Sequence, residues 1–184
     1  KLPMKTTGGQ KTRRRAGVRP TLARVREALF NSLRPRFSGA RVLDLYAGTG
    51  ALGIGALRHG AASALFVERH APLAADLRRR LTAEGVGDRA TVWAKDVLAA
   101  VRELGAGQQR FDIILLDPPY GQELIAATLE AITRAGILAP DGLVAAEGHW
   151  RDHPGETAGL ICRREARYGE TRLWYFQRSG GESP

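Results

Sequence analysis

The chain has 184 residues, 43% of them hydrophobic, and a formal net charge of +9. That length closes one substantial core and falls short of two, so a single domain is expected. No stretch approaches the roughly 20 uninterrupted apolar residues of a membrane-spanning helix, and the basic start runs on into polar residues rather than an apolar signal core, so cytoplasmic residence is the expectation.

The charge is concentrated at the start. Residues 1–20 hold Lys1, Lys5, Lys11, Arg13, Arg14, Arg15 and Arg19 with no acid, leaving a net +2 for the rest. A flexible basic arm over 1–20, a nearly balanced domain over 21–178 and a short tail over 179–184 are therefore predicted. An arm of this kind suits a polyanionic partner, because each phosphate neutralised releases counterions. A solvated tail that only aids solubility is the plain alternative.

In chain order, Thr21 is placed to cap a helix whose apolar positions are Leu22, Val25, Leu29 and Leu33, with Arg24, Arg26 and Glu27 on its other faces. Arg41–Tyr46 reads as a strand, Ala51–His59 as a helix and Leu65–Glu68 as a strand. A helix with Leu73, Leu77 and Leu81 on one face follows, then a strand over Thr91–Ala94 and a short helix over Val97–Leu104. Phe111–Leu116 is almost wholly apolar, which suits the centre of a parallel sheet covered on both faces. Glu123–Arg134 is helical, Pro140, Asp141 and Gly142 make a turn, and Leu143–Glu147 is a fifth strand. Leu160–Tyr168 and Arg172–Arg178, joined near Gly169 and Glu170, leave no room for a helix and should form an antiparallel hairpin. The fold class is thus α/β, an open sheet of seven strands with helices on its faces.

The first strand empties into a glycine-rich turn, Ala47, Gly48, Thr49, Gly50, Ala51, Leu52, Gly53, where missing side chains let backbone amides approach a ligand. Gly48, Gly50 and Gly53 also satisfy the dinucleotide spacing, and Glu68 stands where a carboxylate grips ribose hydroxyls in either cofactor class. Asp44 tilts the choice. A carboxylate at the mouth of the loop repels a pyrophosphate and favours the sulfonium and ammonium of S-adenosylmethionine. Asp96 suits either the adenine amino group or an N-cap.

Strand four ends in Asp117, Pro118, Pro119, Tyr120. An exocyclic base nitrogen is a poor nucleophile because its lone pair is delocalised into the ring. If the Asp117 carboxylate and the Pro118 carbonyl each accept one of its N–H groups, charge developing on nitrogen is stabilised. The two prolines hold those acceptors in place beforehand, and Tyr120 offers a flat ring for the target base. A rigid strand exit over a packed aromatic is the competing explanation.

At this point the chain resembles the class I methyltransferases, and more closely the bacterial family that methylates guanine N2 in small-subunit ribosomal RNA. The resemblance is carried by Arg19, Pro20 and Thr21, by Arg24–Asn31, by Leu43–Gly53, by Phe66–Glu68 and by Leu116–Tyr120. It implies a Rossmann-like sheet of strand order 3-2-1-4-5-7-6 with strand seven antiparallel, the Arg19–Arg24 region over the active site, and an RNA substrate within a partly assembled subunit. It also implies a further basic segment before Lys1. Leu22 and Ala23 replace the Thr-Asp usual in that family, which removes the basis for contacts there.

Residues and resemblance together place the catalytic set at Asp117, Pro118, Pro119 and Tyr120, with S-adenosylmethionine held by Asp44, Tyr46, Ala47, Gly48, Thr49, Gly50, Glu68, Arg69, Asp96, Val97 and Asp117. The RNA contacts are Lys11, Arg13, Arg14, Arg15, Arg19, Thr21, Arg24 and Tyr120. No metal is expected, since His59, His70, His149 and His153 do not cluster and Cys162 has no cysteine neighbour; Cys162 reads as a half-buried strand residue. Trp93, Trp150 and Trp174 read as core or edge packing, and Arg78–Arg80 as a solvated helix face. A DNA adenine-N6 or cytosine-N4 methyltransferase and a nicotinamide-dependent oxidoreductase stay open as alternatives; 184 residues leave little room for a DNA-recognition region.

Overall fold

A computed structural model of the chain describes residues 18–120 and 123–180. Lys11, Arg13, Arg14 and Arg15 lie outside the described residues, as do the side chains of Arg19 and Thr21.

Helix α1 spans Val18–Phe37. It starts three residues ahead of the expected cap, so Thr21 lies inside the helix rather than at its N-cap. Pro20 fits because the amides of a first turn have no intrahelical acceptor. The three- to four-residue spacing buries Val25, Leu29, Leu33 and Phe37, whereas Leu22 at the solvent end is 45% exposed and no part of the core.

Alternating elements follow: β1 Arg41–Leu45, α2 Ala51–Arg58, β2 Ser63–Val67, α3 Ala71–Ala83, β3 Ala90–Trp93, α4 Val97–Ala106, β4 Phe111–Leu116 and α5 Leu124–Ala135. The chain ends in β5 Leu138–His149, β6 Leu160–Tyr168 and β7 Thr171–Arg178. In α3, Leu77 and Leu81 are buried but Leu73 is 40% exposed, so the expected apolar face is shorter by one turn.

The expected turn at Pro140–Gly142 does not break the fifth strand. Phe111 pairs with Leu138 and Ile113 with Leu143, so the extra residues of β5 leave the ladder as a bulge and pairing resumes beyond them.

The strands form one seven-stranded sheet in the order β3-β2-β1-β4-β5-β7-β6, with β7 antiparallel to both neighbours. Side chains of β4 alternate between two cores: Ile113 and Leu115 face α1, α2 and α3, and Ile114 and Leu116 face α4 and α5. This double coverage explains the continuous apolar run of β4. The order reverses between β1 and β4, and the crevice at the carboxyl ends of such strands is where open α/β sheets bind ligands.

Candidate active site

The loop after β1 is shaped by three glycines with different duties. A Cβ on Gly50, whose φ is +77°, would collide with Leu77, and one on Gly53 with Phe66, so these two let α2 and α3 close on the sheet. Gly48, with φ +54°, has open space where a Cβ would stand. Its backbone therefore faces the cavity at the sheet edge bare. Tyr46 precedes it in the left-handed region, φ +61°, a conformation rare for a large side chain. Its hydroxyl holds the turn by donating at 2.7 Å to Thr128 Oγ1, whose own hydroxyl donates to the Leu124 carbonyl at 2.6 Å.

Glu68, immediately after β2, accepts the Gly48 N–H at Oε2 and the His70 N–H at Oε1, both at 2.9 Å. Asp96 caps α4, its Oδ1 accepting the Ala99 N–H at 3.0 Å. Glu68 and Asp96 line a cavity of about 560 Å³ with Tyr46, Gly48, Arg69, Val97, Asp117, Pro118, Pro119 and Tyr120.

Asp44 is not among the lining residues. Only 1% exposed, it lies behind the loop, and its Oδ2 accepts the Gly53 N–H at 2.9 Å. Burial is the main cause that pushes its pKa up to about 8; the Gly53 bond opposes it, and the charges of Asp117 and Glu68 add to it. The expected carboxylate at the mouth of the loop is thus corrected to a buried group that favours its proton at neutral pH. Alternation along β1 explains the difference, because Asp44 shares the face of Val42 that packs under α2. Ala47, Thr49 and Gly50 likewise build the turn without lining the cavity. Ala47 N–H bonds the Val67 carbonyl at 2.9 Å, and Gly50 N–H bonds the Ala47 carbonyl at 2.8 Å.

Asp117 ends β4 and faces the cavity. It is exposed to solvent on the cavity side; the protein behind it strips part of its hydration and raises its pKa to about 6, opposed by the Arg26 guanidinium. One step beyond the Leu116–Ala146 pairing, Asp117 and Glu147 are neighbours on β4 and β5. Glu147 is 9% exposed. Its pKa is pushed up to about 7, first by burial and then by Asp117, against the pull of Arg26. Neither Glu147 nor Arg26 stood out in the sequence. An acid closing an apolar strand was the available signal for Glu147, but its pairing with Asp117 depends on the register of two strands. Leu73, Leu98 and Leu124, which also line the cavity, gave no sequence signal.

Tyr120 is 48% exposed, its hydroxyl 3.4 Å from Thr171 Oγ1 and its ring centroid 6.0 Å from that of His149. Burial of its inner side raises the phenol pKa, so the hydroxyl keeps its proton. Arg24 is exposed on α1 and does not line the cavity. Arg80 departs from a merely solvated face: it donates to the Thr49 carbonyl at 2.9 Å and to Glu84. Cys162 is exposed on the edge strand β6 rather than half-buried. Trp174 is core, and Trp93 and Trp150 are partly exposed. Among the described residues no group of three or more His, Cys, Asp or Glu is placed to hold a metal, and no helix is long and apolar enough to cross a membrane.

The family described as conserved hypothetical protein 95 matches residues 6–177. The ribosomal RNA small subunit methyltransferase D of Escherichia coli is 32% identical over 169 residues, 91% of this chain and 83% of that protein. A conserved hypothetical protein of Streptococcus pyogenes has a solved structure that superposes with a TM-score of 0.76 at 33% identity, covering 86% of this chain and 98% of that one. A methyltransferase designated SMU.776, solved in complex with SAH, shares the fold at 16% identity with a TM-score of 0.66, over 83% of this chain and 48% of its own. The chain therefore belongs to the conserved hypothetical protein 95 family, together with the small-subunit ribosomal RNA methyltransferase D of Escherichia coli, and its fold is that of the S-adenosylmethionine-dependent methyltransferases.

Proposed function

We propose that the protein transfers a methyl group from S-adenosylmethionine to the N2 amino group of a guanine in small-subunit ribosomal RNA. One observation carries the reading: Asp117 and its two prolines open onto the same cavity as Gly48, Glu68 and Asp96.

The residues present fit the cofactor. A cavity of about 560 Å³ is within the usual range for a small ligand. Each oxygen of Glu68 already accepts one backbone N–H and keeps a lone pair for a ribose hydroxyl. Asp96 uses Oδ1 for its cap, which leaves Oδ2 for an adenine amino group. Glu68, Asp96 and Asp117 give the walls three carboxylates, which attract a sulfonium and an ammonium and would repel the pyrophosphate of a nicotinamide cofactor.

When bound, S-adenosylmethionine supplies an electrophilic methyl group. Asp117 and the Pro118 carbonyl accept the two N–H groups of the guanine amine and aim its lone pair. The buried ring of Pro118 and the adjoining Pro119 fix those acceptors without reorganisation at the moment of reaction. The ring of Tyr120 covers one face of the base. The proton released by nitrogen passes to Asp117, beside which Glu147 and Arg26 set the local charge.

The test is transfer of labelled methyl from S-adenosylmethionine to undermethylated small subunits, naked ribosomal RNA and DNA, followed by nucleoside analysis. Label in N2-methylguanosine from either RNA supports the reading, and the better of the two reports the assembly state of the substrate. Label in N6-methyladenine or N4-methylcytosine of DNA, or none in RNA, overturns it.

A further inference from the structure

From Tyr120 a line of aromatic rings continues past the catalytic loop to residues that the reaction does not use. From Tyr120 the ring centroid of His149 is 6.0 Å away, and from His149 that of Trp150 is 5.9 Å away. Two guanidinium carbons lie over the Trp150 ring, Arg167 at 4.1 Å and Arg151 at 4.9 Å from its centroid.

The arrangement is held from behind. Trp150 N–H donates to the Glu170 carbonyl at the tip of the β6–β7 hairpin, 2.8 Å away. Asp152 closes the turn by accepting the His149 N–H at 2.8 Å, while its own N–H reaches the His149 carbonyl at 2.9 Å. Arg167, exposed on β6, donates from Nε to the Gly169 carbonyl at 2.8 Å, which anchors its guanidinium and leaves the terminal nitrogens without a hydrogen bond of their own among the described residues. Among the described residues neither Arg151 nor Arg167 has a carboxylate within 4.0 Å. Asp152, next to Arg151 in the chain, is committed to the turn, and Glu165, two residues before Arg167, pairs with Arg172 at 3.8 Å.

Guanidinium planes laid on a fixed aromatic ring, and uncompensated, present the two things a single-stranded nucleotide requires, a flat surface for the base, built on Trp150, and cations for its phosphate. The rings continue from Tyr120 in two centroid steps of 6.0 and 5.9 Å, which sets this surface beside the ring that covers the target base. Resting on the proposal of an RNA substrate, we infer that Trp150, Arg151 and Arg167 form a second RNA-binding site, which holds the nucleotide adjoining the methylated guanine. The hairpin, remote in sequence from both the basic arm and the catalytic loop, thereby acts as part of the substrate surface.

The test uses the full chain and undermethylated small-subunit ribosomal RNA as the probe, with dissociation constants measured over a salt series for the wild type, Trp150→Ala and the double variant Arg151→Gln/Arg167→Gln. Trp150→Ala should weaken RNA binding about tenfold or more, the scale of removing one base–aromatic stack. The double variant should also flatten the salt slope by about 0.7 for each phosphate that is no longer neutralised. S-adenosylmethionine affinity should be unchanged in both. Unaltered RNA affinity and slope in the double variant, which keeps the ring and the turn, overturns the inference even if Trp150→Ala destabilises the hairpin. If the wild type methylates RNA while the variants bind it normally, this inference alone falls; if the wild type neither binds nor methylates RNA, both it and the proposed function fall.

Discussion

The buried carboxylate of Asp44 accepts the backbone N–H of Gly53 at 2.9 Å and so ties the middle of the sheet to the first turn of α2. Its pKa of about 8 in the fold, against an ordinary 3.8, gives this hydrogen bond a pH signature. The folded chain keeps a proton that the unfolded chain releases, so the contribution of Asp44 to stability declines as pH rises from about 4 to about 8. Asp44→Asn can retain the Gly53 bond through its amide oxygen without that penalty. Its melting temperature should match or exceed the wild type at pH above 8 and lose the advantage toward pH 4. Asp44→Ala leaves the Gly53 N–H buried without its partner and should cost about 1–3 kcal/mol near pH 4, a cost that shrinks as pH rises because the titrating group has gone. Thermal unfolding across pH checks both, and an Asp44→Asn protein less stable than wild type in alkali contradicts the assignment of a protonated Asp44.

Glu68 joins the loop after β1 to the start of α3 through two backbone N–H groups. Replacement by Ala should weaken S-adenosylmethionine binding by about 1–3 kcal/mol, the scale of removing a charged hydrogen bond, and calorimetry measures it directly. Neither the wild type nor the variant should bind NAD. An unchanged S-adenosylmethionine affinity in Glu68→Ala would mean that the ribose lies elsewhere.

Asp117 and Tyr120 divide chemistry from positioning. Asp117→Ala should leave most of the cofactor affinity in place, because Glu68 and Asp96 remain, while turnover falls by about a hundredfold or more, as when one preorganised transition-state partner is removed. Tyr120→Ala should act on the RNA concentration dependence, by about 1–3 kcal/mol of stacking, with partial rescue by Phe. Single-turnover methylation with both substrates saturating separates the two effects. A near-normal rate in Asp117→Ala returns this tetrapeptide to the role of a rigid strand exit.

The neighbouring acids Asp117 and Glu147, raised to about 6 and about 7, predict the acidic limb of the pH profile. Asp117 must be ionised to take the proton from nitrogen, so kcat/KM should rise with pH through that window and fall as protons return below it. Repulsion between the two coupled carboxylates should spread the limb over a wider pH range than one titration. Glu147→Gln should reduce it to a single proton and move its midpoint toward lower pH, because a like charge has gone. Arg26→Gln should move it the other way. A limb indifferent to both substitutions would detach this pair from the rate-limiting chemistry.

Local chemistry made much of this protein legible in one dimension. The apolar run of Phe111–Leu116, the glycines that end β1 and the prolines that end β4 each impose a backbone that few other folds accept, so the α/β class, all seven strands and the two loops followed from spacing alone. Limits were local too: Thr21 lies within α1, which extends three residues further back, and the turn at Pro140–Gly142 became a bulge because β4 offers pairing partners on both sides of it.

What the tertiary structure decided is which side chains share a space. Depth along the sheet decides it: Asp44, inside β1, packs under α2, while Glu68, Asp96 and Asp117, beyond the ends of β2, β3 and β4, face the cavity, although all four are acids at the ends of apolar segments. Strand register sets Glu147 beside Asp117, and the hairpin sets Arg167 over Trp150. Such meetings join residues tens of positions apart, and the hydration and charge that tune them depend on enclosure by the whole fold. Periodicity and spacing carry the direction of the backbone; they carry no record of which distant group will stand within hydrogen-bonding reach.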